Sequence, residues 1–195
     1  MIRIGLVGLG KIAHDQHLPA LAEDSRFSLV AAASHGRPTH GELPVFHDLE
    51  ELLAKGPAVD AVALCTPPQV RRETALTALR AGKHVFLEKP PGVTVGEVKE
   101  LAAVARDQGV VLFTSWHSRF AAGVPKAKAW LAERKLQKLA IEWREDVRRW
   151  HPGQTWIWQA GGMGVFDPAI NALSILTEIM PAEVFVTGAT LQVPE

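Results

Sequence analysis

The feature that most constrains this chain is a short one near its start. An apolar run, residues 2–7, interrupted only by Arg3, meets Gly8-Leu9-Gly10, and a helical pattern opens at once behind it. A strand that is apolar without alternation belongs in a sheet covered on both faces. A glycine turn leading from such a strand into a helix opens a βαβ unit. In that setting Gly8-x-Gly10-x-x-Ala13 fits the G-x-G-x-x-A pattern of dinucleotide sites. Gly8 permits the tight turn, Gly10 lets the backbone approach a pyrophosphate, and Ala13 lets helix and strand pack closely. Lys11 and Ile12 open the helix, whose first N–H groups and positive dipole end suit phosphate.

The chain then repeats the unit. Strands are expected at residues 27–34, 60–65, 84–88 and 110–114, with a short one possible at Val45-Phe46. Between them lie a helix over 49–55 capped by Asp48, one over 68–81 with Gly82 just past its end, and one over 94–108 with a Thr94/Glu97 capping box. Alternation of this kind gives an α/β fold: a mostly parallel Rossmann sheet in a first domain, residues 1–115. The pattern then changes. Residues 120–134 read as an amphipathic helix, 136–145 alternate like a half-buried strand, and 147–164 form a long loop holding three tryptophans. Asp167-Pro168 opens a helix to Met180, and 183–193 is a last apolar strand. Residues 116–195 are therefore expected to be the start of an α+β domain with an open, incomplete antiparallel sheet. Trp130 and Trp143 fall in patterned elements and are expected in its core, whereas Trp116, Trp150, Trp156 and Trp158 lie in or beside loops.

Composition removes several function classes. Lys+Arg and Asp+Glu balance at 21 each among 195 residues, which leaves no charge footprint for nucleic acid or an anionic membrane. No apolar stretch approaches the roughly 20 residues of a membrane span, and the N-terminal run is too short for a secretory leader. Cys65 is the single cysteine, so the expected setting is a reducing cytoplasm. His14 and His17 have no third ligand placed with them, so no metal site is expected.

The end of the second strand bears on the choice of dinucleotide. A carboxylate there would hold a ribose 2′-hydroxyl and repel a 2′-phosphate. This chain has Ser34-His35-Gly36-Arg37 instead. Ser34 can donate to a phosphate and Arg37 can pair with one, so NADP is favoured, with NAD as the alternative. Cys65-Thr66-Pro67 and Glu88-Lys89-Pro90 both follow strands at the carboxyl edge of the sheet, where ligands sit in open α/β folds. Lys89, held extended before proline, can be read as a base beside the nicotinamide or as an ordinary surface lysine.

The run from Ala81 through Glu88-Lys89-Pro90, the opening glycine motif and the later Gly161-Gly162-x-Gly164-x-x-Asp167 stretch resemble the Gfo/Idh/MocA oxidoreductase family. His14–Pro19, Ser115–Arg119, Val147–Gln154 and Gly164–Ser174 resemble its branch of bacterial dehydrogenases that oxidise D-galactose or L-arabinose at C1. The resemblance implies that Lys89, Asp167 and Asn171 surround the anomeric carbon of a sugar, with Lys89 taking the hydroxyl proton. It also implies that His117, Glu145 and Trp150 contact the sugar. Other activities on the same fold are a non-catalytic sugar or cofactor sensor and an inositol-type dehydrogenase; an intact Lys89 favours an enzyme. The resemblance further implies a large second-domain sheet of which this chain carries the first one or two strands. The open edge at 183–193 is then expected to find a partner, through homo-oligomerisation in the full-length protein.

Overall fold

A computed structural model describes residues 1–36 and 40–192 of the chain. Its strands are β1 (Ile2–Val7), β2 (Phe27–Ala33), β3 (Val45–Phe46), β4 (Ala61–Leu64), β5 (His84–Leu87) and β6 (Leu112–Thr114). They form one parallel sheet in the order β3-β2-β1-β4-β5-β6. That is the doubly wound Rossmann order, with its switch point between β1 and β4. Helices α1 (Leu18–Glu23), α2 (Leu49–Lys55), α3 (Pro68–Arg80) and α4 (Val95–Asp107) make the crossovers. A wider helical turn, Ala13–His17, leads into α1.

Burial follows from the sequence pattern. Ile4 and Leu6 of β1 pack with Ala13, Ala32, Ala63 and Cys65. Val7 points the other way and packs with Leu52, Val62, Leu79 and Leu101, drawn from α2, β4, α3 and α4. From Ile4 on, the run is thus a strand with a core on each face. The helix boundaries match their chemistry. Glu51 N–H donates to the Asp48 carboxylate (2.7 Å) and Glu97 N–H to the Thr94 hydroxyl (3.2 Å).

The hydrogen-bond ladder does not stop at the strand ends. Gly8 N–H donates to Ala33 O, Ser34 N–H to Phe46 O, Cys65 N–H to Val7 O, Glu88 N–H to Leu64 O and Ser115 N–H to Leu87 O, at 2.8–3.2 Å. The residue just past every strand but β3 is therefore fixed through its own main chain to the neighbouring strand.

The chain divides into two compact units, Met1–Ser115 with His151–Gly164, and Trp116–Trp150 with Val165 onward. His151–Gly164, which the sequence places beyond residue 115 in the second domain, groups with the first unit. There Gln69 Nε2 donates to Trp156 O (3.1 Å). A β-carbon at Gly162 would fall 2.0 Å from Trp156 O, so only glycine lets the two stretches of backbone meet.

The second unit holds α5 (Val124–Ala132), α6 (Val147–Trp150) and α7 (Phe166–Ile179). Three expectations fail in it. The helix expected over 120–134 starts at Val124, behind a 3₁₀ turn at His117–Phe120. Pro125 sits in the first turn of α5, the one place in a helix where its missing N–H costs nothing. Residues 136–145 and the described part of 183–193 are not paired as strands. A strand exists through its ladder, and among the described residues neither segment has a partner strand. The apolar positions of the first segment, Leu136, Leu139 and Ile141, instead line grooves with Leu176 of α7. Trp130 and Trp143 are exposed rather than core, at 56% and 40%. The guanidinium of Arg134 covers the Trp130 ring at 4.4 Å, and Trp143 Nε1 donates to Glu145. Among the described residues no helix is long and apolar enough to cross a membrane.

Candidate functional site

In the first unit, the described residues among those expected to hold a dinucleotide come together at the carboxyl edge of the sheet. Gly8 has φ of 93°, and a β-carbon there would lie 3.1 Å from both Cys65 C and Thr66 N. The turn after β1 therefore rests directly on the end of β4, across the switch point. At Gly10 no protein atom beyond the adjoining stretch of chain lies within 4 Å of the same imagined carbon. Open space lies over Gly10, as a backbone that approaches a ligand requires. The helical run starting at Lys11 brings N–H groups that have no carbonyl one turn back. Lys11 pairs with Asp15 one turn on, and Ile12 is exposed. Thr66 Oγ1 is buried without a hydrogen-bond partner. The glycine cradle, the helix start and this unpaired hydroxyl fit a bound pyrophosphate dinucleotide.

The end of β2 supplies the next group. Leu9 N–H reaches Ser34 Oγ at 3.4 Å, tying the phosphate turn to that end. His35 lies against His47 (Nδ1 to Nε2, 3.4 Å), and His47 Nδ1 in turn meets Asp48 Oδ2 at 3.1 Å. Arg37 lies outside the described residues. The sequence reading missed His47, because a two-residue β3 is too short a pattern to reveal that residue 47 ends beside residue 35.

The third group follows β4 and β5. Burial pushes the Cys65 thiol up to about 12, so it is a packing residue here and not a nucleophile. Pro67 precedes α3 and Pro68 begins it. Glu88 is buried, and burial alone would raise its carboxyl. A 2.7 Å hydrogen bond from His17 Nε2, the charge on that imidazole and the Lys89 N–H (3.2 Å) outweigh this and hold it below the usual carboxylate range. His17, which fits no metal site by sequence, is thus the clamp on Glu88; its ring also stands edge-on to Phe86 at 5.4 Å. Lys89 is half-buried between Glu88 and a buried Pro90.

The lowered Glu88 carboxyl has a consequence for folding. Its stabilising contribution is complete above the unfolded carboxylate value, near pH 4.3, and is lost as pH falls through the lower folded value. Calorimetry should show the melting temperature dropping below about pH 4 more steeply for the native chain than for Glu88→Gln. Parallel profiles would mean that the clamp contributes nothing.

In the second unit, Asp167 and Asn171 sit one turn apart on α7, both buried at 4% and 6%. Asp167 is inside the first turn, not at the N-cap, which is Val165. It is therefore not simply the cap that an Asp-Pro start suggests. Ser174 continues the same buried polar face, donating from Oγ to Asn171 O at 2.7 Å. The other face of α7, with Pro168, Ala172 and Leu176, is apolar and packs near Ile141. His117 is exposed and touches Ser118 Oγ at 3.4 Å; Glu145 accepts from Trp143; Trp150 is half exposed with Arg149 over its ring at 5.3 Å.

Sequence reading also missed Arg71. Inside a helix that reads as a surface crossover, it is buried to 3% and donates to the carbonyls of Thr66, Glu88 and Pro90. The only signal was position: a long cation one turn past the Thr66-Pro67-Pro68 strand end.

Comparison with known proteins places these features. Residues 2–115 match a model described as an oxidoreductase family with an NAD-binding Rossmann fold. The chain is 51% identical over 193 residues to a galactose 1-dehydrogenase of Pseudomonas fluorescens, covering 99% of this chain and 62% of that protein. Its structure superposes on the crystal structure of a D-galactose-1-dehydrogenase from Rhizobium etli with a TM-score of 0.92 and 55% identity, over 100% of this chain and 62% of that one. A 3-ketoreductase from Actinomadura kijaniata, solved with NADP, aligns at 32% identity and a TM-score of 0.60, over 68% of this chain and 43% of that one. The chain thus spans 62% of the length of the two galactose dehydrogenases it matches.

Proposed function

This chain belongs to the Gfo/Idh/MocA oxidoreductase family, and from that premise we propose that it oxidises an aldopyranose, D-galactose or L-arabinose, at C1 to the aldonolactone, using NADP or NAD. The observation that carries the reading is the likeness to galactose 1-dehydrogenase across nearly the whole chain.

Gly8, Gly10, Lys11 and Ile12 hold the pyrophosphate, Ser34, His35 and Arg37 meet the adenosine ribose, and Thr66, Pro67 and Glu88 line the crevice toward the nicotinamide. Bound there, a nicotinamide supplies a hydride acceptor. Lys89 Nζ takes the C1 hydroxyl proton as the C1–H bond breaks. Asp167 and Asn171, one turn apart on a buried face, bind and orient the sugar, with His117, Glu145 and Trp150 as further contacts. A flat indole suits the C–H face of a pyranose. Ser34 with no adjoining carboxylate favours NADP over NAD. The single buried Cys65 supports a cytoplasmic setting. Exposed Phe185 and Val186 support self-association of the full-length protein through the second unit.

The test is absorbance of reduced nicotinamide on mixing the protein with NADP or NAD and D-galactose, L-arabinose or myo-inositol. The expected result is reduction with one of the two aldoses, faster with NADP. A protein that binds the dinucleotide yet reduces it with no aldose is not this enzyme.

A further inference from the structure

Arg71 is the only buried arginine or lysine among the described residues. A guanidinium out of water must be met by acceptors. Here it is met by main chain: Nη1 donates to Glu88 O at 2.6 Å and also to Pro90 O, and Nη2 donates to Thr66 O. Two of these carbonyls bracket Lys89, and the third belongs to the strand end that carries the unpaired Thr66 hydroxyl. The Glu88–Lys89 peptide unit is gripped at both polar ends, its carbonyl by Arg71 and its N–H by the Glu88 carboxylate at 3.2 Å. That carboxylate is itself held by His17 at 2.7 Å.

From this geometry we infer that Arg71 is the positioning residue for Lys89, fixing the backbone on both sides of it and locking that stretch to the end of β4. The inference rests on the reading of Lys89 as the proton acceptor. Only arginine suits the task. Its planar fork sends donors from two terminal nitrogens toward carbonyls on two strand ends, which one ammonium at the tip of a lysine does not span. Fixing the main chain around the base matters because small misplacement of a reacting group costs rate steeply, about a hundredfold for 1 Å.

The variants are Arg71→Ala and, should that one fold poorly, Arg71→Lys. The first measurement is amide hydrogen exchange in the cofactor-free protein, which requires no turnover. Exchange over residues 86–93 should rise about tenfold, while β1 and the centre of α4 stay protected. The second is kinetic: kcat for the aldose should fall about a hundredfold, with the Kd for NADPH within about threefold of native. Guanidinium ion added to Arg71→Ala should restore part of both. Unchanged exchange over 86–93, or loosened exchange with full kcat, overturns the inference. If the native protein reduces no dinucleotide with any aldose, the enzymatic reading fails by itself. The exchange data then decide alone whether Arg71 holds the Lys89 backbone.

Discussion

Lys89→Ala should abolish aldose-dependent reduction of the dinucleotide, lowering kcat by about a thousandfold, while NADPH binding and the melting temperature stay close to native. The size follows from the step removed, since a positioned general base contributes about 10²–10⁴ in rate. The selectivity follows from the architecture. The groups proposed to hold the pyrophosphate stand at the ends of β1 and β4, and Lys89 contributes no ladder bond to them. Its own backbone remains held after truncation, because the bonds from Arg71 and to Glu88 use main-chain atoms of residues 88–90. Lys89→Arg should not recover the rate, since a guanidinium does not give up its proton in a protein. Stopped-flow absorbance and NADPH fluorescence titration together read the result. Native kcat in Lys89→Ala would assign the proton to another group and leave the dinucleotide site intact.

Gly8→Ala should damage both folding and binding, and Gly10→Ala binding alone. At Gly8 the added methyl meets carbonyl carbon and amide nitrogen at 3.1 Å and the Thr66 methyl at 3.2 Å, on a backbone with φ of 93°. Backbone atoms cannot rotate away as a side-chain tip can. The left-handed region also costs a non-glycine residue about 1–2 kcal/mol, and overpacking adds about 1–3 kcal/mol. Either the turn lifts or β1 and β4 part, and the Kd for NADPH should rise by at least about tenfold. At Gly10 the same methyl touches no protein atom beyond the adjoining stretch of chain within 4 Å. Its melting temperature should therefore be native, and only a ligand can object to the substitution. Unchanged NADPH affinity in Gly10→Ala would move the pyrophosphate away from this turn.

The first unit was legible because each of its signals is local and repeated. Apolar runs, Asp48 and Thr94 caps and glycines past helix ends each name one element, and a right-handed βαβ rule assembles them. The site residues at strand ends came with that assembly. What was hidden is what a parallel sheet brings together from far along the chain. His17 and Glu88 are 71 residues apart, and Arg71 reaches back to Thr66 and on to Pro90. A single pattern does not encode such meetings. The second unit was misread for a related reason. Residues 136–145 alternate as a strand would, but alternation specifies faces, not pairing, and among the described residues Leu139 and Ile141 stay exposed beside α7 with no partner strand. The patterned elements that hold Trp130 and Trp143 suggest a core position, but a cation lies over one ring, a carboxylate accepts from the other, and both are exposed.

The ladder that runs one residue beyond five of the six strands has a wider consequence. Gly8, Ser34, Cys65, Glu88 and Ser115 are all anchored by their amide hydrogens, a feature every residue but proline possesses. The scaffold thus prescribes where the Gly8 turn and four side chains begin without prescribing what those side chains are. A lineage built on this sheet can trade Ser34 for an acid, or Ser115 for a bulkier contact, and keep each new group in register. Divergence in cofactor and substrate then needs point changes only, with no redesign of the fold that presents them.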